Sequence, residues 1–267
     1  MTIINQVKNH GRYFYSGISG LQLPVPQYLF PEPYRGASRL TYYSSLFNSI
    51  EINSSFYKIP QGKTVGRWEE AVNDHFRFSF KLYKEITHSK GFDFSGETVK
   101  EFFAAISNIK NRKGCILIQL PPSLGCVYLA QLTRLLTVVN FFNTEKWNLA
   151  VEFRNKSWYN DEAYSVLNEF NSTLVIQDIP KSATPMTQFE SDVVYLRFHG
   201  PEGNYRGSYA EEVLRDYASY IKEKMETGKT VYAYFNNTMG DAISNLNYLN
   251  SCMQEQPYPQ QQVHGHF

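Results

Sequence analysis

Four apolar runs in this 267-residue chain end in charged or amide side chains: EINSSFY at 51–57, VEFRNKSW at 151–158, YLRFHG at 195–200 and AYFNN at 233–237. Side chains alternate between the two faces of a strand. Glu51 therefore shares a face with Asn53, Glu152 with Arg154, and Arg197 with His199. The residues between them, Ile52, Phe153 and Phe198, are large and apolar and belong outward, against covering helices. Glu51 and Glu152 are the carboxylate candidates. Such a pair supplies general acid and base, or nucleophile and acid, to glycoside chemistry; alternatively each neutralises an arginine in a buried polar layer. Arg154 and Arg197 carry the forked guanidinium that holds phosphate, sulfate or carboxylate through two hydrogen bonds, unless they bind the two glutamates.

Further candidates sit at the same kind of position. Lys81 closes a strand and reads as an anion ligand, an activated amine or a solvated strand end. His199 reads as a general base, a donor to substrate or a structural histidine. His88 lies in a loop above the strands. Asp178 reads as a turn former, or as a partner of Glu51, Glu152 and His199 around a divalent metal, on fold analogy alone. Of Asn236 and Asn237 alternation aims one inward; amides there orient hydroxyls or anions, or make a turn. Gln119 adds an amide before Pro121 and Pro122. Tyr57, Phe56, Trp158 and Tyr195 are walls for a ring-shaped ligand or ordinary packing.

These residues need a scaffold that brings strand ends together. The elements read in order as strand 12–19, a proline-rich irregular stretch, helix from 37, strand 49–53, helix 65–72 and strand 76–81. Helix 97–110 follows, broken by Gly114, then strand 115–120, helix 127–142, strand 148–154, helix 160–170 and strand 173–177. Strand 193–199, helix 209–227, strand 230–236 and helix 241–253 complete the series; Gly240 stands where the last helix opens, a place where barrels often bind anions. Eight strands with helices between most of them, several as continuous apolar as CILIQL, predict a closed parallel (β/α)₈ barrel in one domain over 1–253. A doubly wound open sheet is the alternative. The tail, 254–267, has no periodicity and reads as disordered.

Composition narrows the function classes. Net charge is +1 and no lysine–arginine block stands out, which argues against an extended nucleic-acid partner. No run approaches a bilayer span, and the first residues lack the apolar core of a signal peptide. Three cysteines, Cys115, Cys126 and Cys252, lack metal-ligand spacing and point to a reducing cytoplasm. Dinucleotide, nucleoside-triphosphate and zincin fingerprints are missing, so no cofactor is predicted.

The chain resembles the YecE-like, DUF72 family. The stretches that carry the resemblance are GISG at 17–20, EINSSFYKIP at 51–60, Trp68, FSFKLYKEITH at 78–88, LIQLPPS at 117–123, AVEFRNKSW at 150–158, YLRFHG at 195–200 and YFNNTMGDAISN at 234–245. They span nearly the whole chain in order. The resemblance implies a TIM-like barrel and no known activity. Where the family commonly carries Trp after the first glycine-rich segment this chain has Leu21, and 22–35 diverges. The leading expectation is a hydrolase or isomerase of a small polar or anionic, carbohydrate-like substrate at the carboxyl ends of the strands. The alternative is a non-catalytic module for a phosphate-containing ligand or nucleic-acid fragment.

Overall fold

The computed structural model describes residues 14–186 and 189–255. Arg12 and most of the tail, 256–267, lie outside the described residues. The chain runs β1 (Phe14–Ile18), α1 (Arg39–Leu46), β2 (Ser49–Ile52), α2 (Ser54–Tyr57), α3 (Gly62–Glu70), β3 (Arg77–Lys81), α4 (Lys84–Thr87), α5 (Gly96–Ile106) and β4 (Lys113–Gln119). It continues with α6 (Leu129–Phe142), β5 (Asn148–Glu152), α7 (Asp161–Glu169), β6 (Ser172–Gln177), β7 (Val193–Phe198), α8 (Glu211–Glu226), β8 (Thr230–Phe235) and α9 (Ala242–Gln254). All strand pairs are parallel, in the order β1-β8-β7-β6-β5-β4-β3-β2. Sequential parallel neighbours with helical crossovers are the (β/α)₈ pattern.

The ring closes between β1 and β2 by a seam in which side chains stand in for ladder bonds. Ser19 and Glu51 form one bridge, and the Gly20 N–H donates to the Glu51 carbonyl at 2.8 Å. The Tyr43 hydroxyl accepts from the Ile18 N–H at 2.8 Å and donates to the Ser49 carbonyl at 3.0 Å. Asn48 does the same lower down, accepting from the Ser16 N–H at 2.8 Å and donating to the Phe14 carbonyl at 2.9 Å. Gly17 is required here, because a Cβ on it would lie 2.0 Å from the Ser49 oxygen.

Two apolar layers explain the alternation. Ile52, Phe80, Ile118, Phe153 and Phe198 belong to the main core between strands and helices. The opposite parity, Cys115, Leu117, Ala150, Val175, Tyr195, Tyr232 and Tyr234, fills the barrel itself. Polar residues at the same inward parity then come to the carboxyl ends of the strands.

Several local expectations are corrected. Gly114 is no helix breaker: it lies within β4, where a Cβ would sit 2.8 Å from the Phe78 carbonyl. Helix α5 stops at Ile106, four residues before the expected 110, since the Glu69 carboxylate accepts the N–H groups of Lys110 and Asn111 and holds a turn there. The short helices α2 and α4 interrupt stretches that read as loops. The proline-rich stretch contains two 3₁₀ turns, Gln27–Leu29 and Glu32–Tyr34.

Candidate functional site

At the carboxyl ends of the strands the side chains of Glu51, Arg197, Glu152, Arg154, His199 and Asp178 form one hydrogen-bonded chain. Arg197, from β7, is completely buried as a side chain. Its Nε and Nη2 reach the two oxygens of Glu51 at 3.0 and 2.7 Å, and its Nη1 reaches Glu152 at 2.6 Å. The other Glu152 oxygen accepts from Arg154 Nε. Glu51 also accepts from Ser19 and from the Tyr195 hydroxyl, the latter at 2.6 Å. Every carboxylate oxygen therefore has a donor, which is what makes two buried anions tolerable. Burial alone would raise both carboxyl pKa values, but the arginine charges and these hydrogen bonds overcome it and hold both below the usual carboxylate range. Burial alone would lower the Arg197 pKa; the two glutamates reverse that and raise it.

His199 follows β7 and is buried. Its Nε2 faces Arg154 Nη2 at 2.9 Å and Arg197 Nη1 at 3.2 Å. Guanidinium groups only donate, so Nε2 accepts, the proton sits on Nδ1, and Nδ1 donates to Asp178 at 3.2 Å. Desolvation, with the arginine charges, pushes the imidazole pKa down against the raising effect of Asp178. His199 is thus a neutral strut between an aspartate and two arginines. Asp178 also accepts from the His199 backbone N–H at 2.9 Å and from the Tyr209 hydroxyl.

The loop after β7 covers this strut. Gly200 has φ +90°, and a Cβ there would fall 2.1 Å from the Arg206 carbonyl, so the reversal demands glycine. It carries Tyr205 to His199, ring centroids 5.7 Å apart, with the Tyr205 hydroxyl 3.4 Å from Arg154 Nη1.

Lys81 ends β3 at inward parity after the buried Ser79. Among the described residues its ammonium has no ion pair or hydrogen bond; it lies 4.0 Å from the centre of the Phe56 ring. Desolvation and the Arg197 and Arg154 charges lower its pKa to about 7, against the opposing pull of Glu152 and Glu51. His88, after α4, is next to it, 4.8 Å from Phe56 between ring centroids and 3.4 Å from the Gln119 amide nitrogen. Its pKa falls to about 4 by partial burial and the charges of Lys81 and Arg154. Asn53 donates to Ser19 at 2.6 Å, while its buried carbonyl oxygen has no partner among the described residues. Asn236 continues the inward parity of Tyr232 and Tyr234.

Other sequence candidates lie elsewhere. Asn237 points outward, donating to the Gly207 carbonyl at 3.0 Å and to Asn245 at 2.9 Å. Trp158 is sealed in the shell, stacked 4.8 Å from Phe153 with its indole N–H on the Leu124 carbonyl at 2.7 Å. Tyr57 is exposed on α2, its ring edge-on to Phe56. Tyr195 fills the barrel and serves Glu51 rather than walling a ligand. Leu21 is half-buried beside Gln22, whose amide donates to the Thr238 carbonyl at 2.7 Å, tying the divergent stretch to the end of β8. Ser19, Tyr205 and Tyr209 were not singled out in the sequence; they come from loops or a strand end without periodic signal, and only the glycines flanking Tyr205 hint at a sharp turn.

Among the described residues no group of three His, Cys, Asp or Glu is disposed to hold a metal ion. The reason is chemical. The oxygens of Glu51 and Glu152 are taken by guanidinium groups, and the His199 ring stands between Asp178 and both arginines. No helix among the described residues is long and apolar enough to cross a membrane.

Fold and site together define a parallel eight-stranded barrel with a charged cluster at the carboxyl ends of its strands. The model of the family "Protein of unknown function DUF72" matches residues 15–264, and the chain belongs to that family. It is 25% identical to the UPF0759 protein YunF of Bacillus subtilis over 250 residues, 81% of this chain and 87% of that one. The match to the UPF0759 protein YecE of Escherichia coli is 33% identical over 106 residues and spans 39% of each protein. A DUF72 family protein of Enterococcus faecalis superposes with a TM-score of 0.76 at 22% identity, covering 91% of this chain and 96% of that one. One from Thermotoga maritima gives 0.72 at 26% identity, covering 91% and 100%.

Proposed function

We propose that the mouth of the barrel receives a small, polar, anionic molecule, a phosphate- or carboxylate-bearing, carbohydrate-like compound. The observation that carries this reading is the charge count. Arg154 and Arg197 are ion-paired with Glu51 and Glu152, two against two, and the Asp178 oxygens are engaged by His199 and the Tyr209 hydroxyl. That leaves Lys81, among the described residues, as a cation without an ion-paired carboxylate, in a setting that disfavours its charge. An incoming anion would supply the missing partner and restore the ammonium. The amides of Asn53, Gln119 and Asn236 and the His88 ring suit the hydroxyls of such a ligand, and Phe56 offers a flat wall.

The same geometry bears on chemistry. Both glutamates are ionised and saturated, so neither suits the part of general acid. Proton transfer falls instead to Lys81 and His88, which favours isomerisation over a hydrolysis led by Glu152. We place the protein in a reducing cytoplasm, in keeping with three free cysteines, two of them buried.

The test is a thermal-shift and calorimetric panel of inorganic phosphate, sugar phosphates and hydroxycarboxylates. A saturable rise in melting temperature is expected, with at least tenfold weaker binding to Lys81→Met. A neutral sugar bound as well as its phosphate, or equal affinity for the variant, would reject the reading.

A further inference from the structure

Lys81 sits at the inward end of β3 with its ammonium 4.0 Å from the centre of the Phe56 ring, and has no carboxylate partner among the described residues. We infer that Lys81 is a carbonyl-capturing amine: it forms an imine with an anionic aldehyde or ketone delivered to the barrel mouth. The inference rests on the anion-binding reading and adds the functional group that the ligand carries: the anion seats the ligand against the Lys81 ammonium, and the attack comes from the neutral amine in equilibrium with it.

Three features support it besides position. First, a nucleophilic amine must be unprotonated, and the groups facing Lys81 favour its neutral form. Arg197 and Arg154 oppose its charge, and desolvation dominates, while Glu51 and Glu152 are engaged by those arginines; the pKa is lowered to about 7. Lys100, Lys113, Lys224 and Lys229, by contrast, are held in ion pairs. Second, the Phe56 face beside the nitrogen lets a planar carbonyl or imine lie flat. Third, His88 stands on the same ring with Thr87 Oγ1 2.8 Å from its Nδ1. With a pKa of about 4 it is neutral near pH 7 and can relay a proton.

The step is balanced without an oxidant or reductant. The lone pair of Nζ attacks the carbonyl carbon, a C–N bond forms, and the C=O π electrons move to oxygen. One proton passes from nitrogen to that oxygen, giving a carbinolamine. The C–O bond then breaks as the hydroxyl takes a proton relayed by His88 and leaves as water, the nitrogen lone pair closes the C=N bond, and the remaining N–H proton returns to His88, leaving a neutral imine. Water reverses the sequence and frees the amine.

Reductive trapping on the full chain tests this. Pyridoxal 5′-phosphate, used as an aldehyde probe with a phosphate, is added at near-stoichiometric concentration and reduced with borohydride, and the adduct is located by peptide mass mapping. Pyridoxamine 5′-phosphate, which has the phosphate and no carbonyl, is titrated in parallel. The expected result is one adduct on Lys81, suppressed by inorganic phosphate and missing from Lys81→Arg, together with saturable binding of the amine probe. Binding of the amine probe with adducts scattered over surface lysines would overturn the imine and leave anion binding standing. An adduct on Lys81 that phosphate does not suppress, with no binding of the amine probe, would uphold the imine and remove the anion reading. Failure of both removes both.

Discussion

Arg197 is the residue whose loss should cost most. It is sealed from water and shared by two carboxylates. Arg197→Met strands Glu51 as a buried anion with no cation and leaves Glu152 with Arg154 alone, a penalty of about 3–5 kcal/mol in comparable sites; urea unfolding measures it, and a change below 1 kcal/mol would mean that water already reaches the cluster. Lys81 has the opposite sign. Its folded pKa, about 7, lies below the ordinary 10.5, so it contributes stability above the ordinary value that is lost as pH falls through 7. Lys81→Met should therefore stabilise the protein at pH 6 by about 1–3 kcal/mol, allowing for screening of a partly exposed amine, with the gain vanishing near pH 11. Equal stability curves across that range would show an ammonium in bulk-like water.

At the scale of elements, strand parity made much of the cluster legible. Alternation of polar and large apolar residues in EIN, EFR and RFH is enough to turn Glu51, Glu152, Arg154, Arg197 and His199 to one side, and hydrogen bonds join them. Parity fails where strands end. Trp158 follows the FRNKS turn and folds back onto Phe153, and Asn237 leaves β8 toward α9. Neither reversal has a period to read. Tyr205 and Tyr209 depend on a loop whose path is set by Gly200 and by contacts remote in sequence. The β1–β2 seam was also illegible, because Tyr43 looks like any core aromatic of α1. Tyr43→Phe leaves the Ile18 N–H and the Ser49 carbonyl without that partner, which should cost about 1–3 kcal/mol. Hydrogen exchange of the Ile18 amide should accelerate more than that of Val231 on β8; uniform acceleration would mean the seam has no local role.

For the whole molecule, the barrel acts as a frame that keeps a set of like and unlike charges within contact distance. The frame was readable from eight strand-like runs and their spacing, with the element bounds off by a few residues where Glu69 or a short helix intervened. The charge set imposes a pH response. Glu51 and Glu152 have folded pKa values below the ordinary 4.5, so their contribution is complete above that value and is lost as pH falls below it. Acid unfolding should steepen below pH 4.5 and flatten in Glu152→Gln; an unchanged acid limb in that variant would mean Glu152 is not held by Arg154 and Arg197. Anion binding has its own signature. A carboxylate ligand that needs Lys81 protonated keeps its affinity between about pH 5 and 7 and loses up to tenfold per pH unit above that.

Direct titration of the Lys81 side-chain nitrogen by heteronuclear NMR, with and without inorganic phosphate, reaches the centre of the matter. A midpoint near 7 that climbs when phosphate is added is the predicted outcome. A midpoint at the ordinary lysine value, indifferent to phosphate, would contradict the anion-receiving mouth and the carbonyl-capturing amine together.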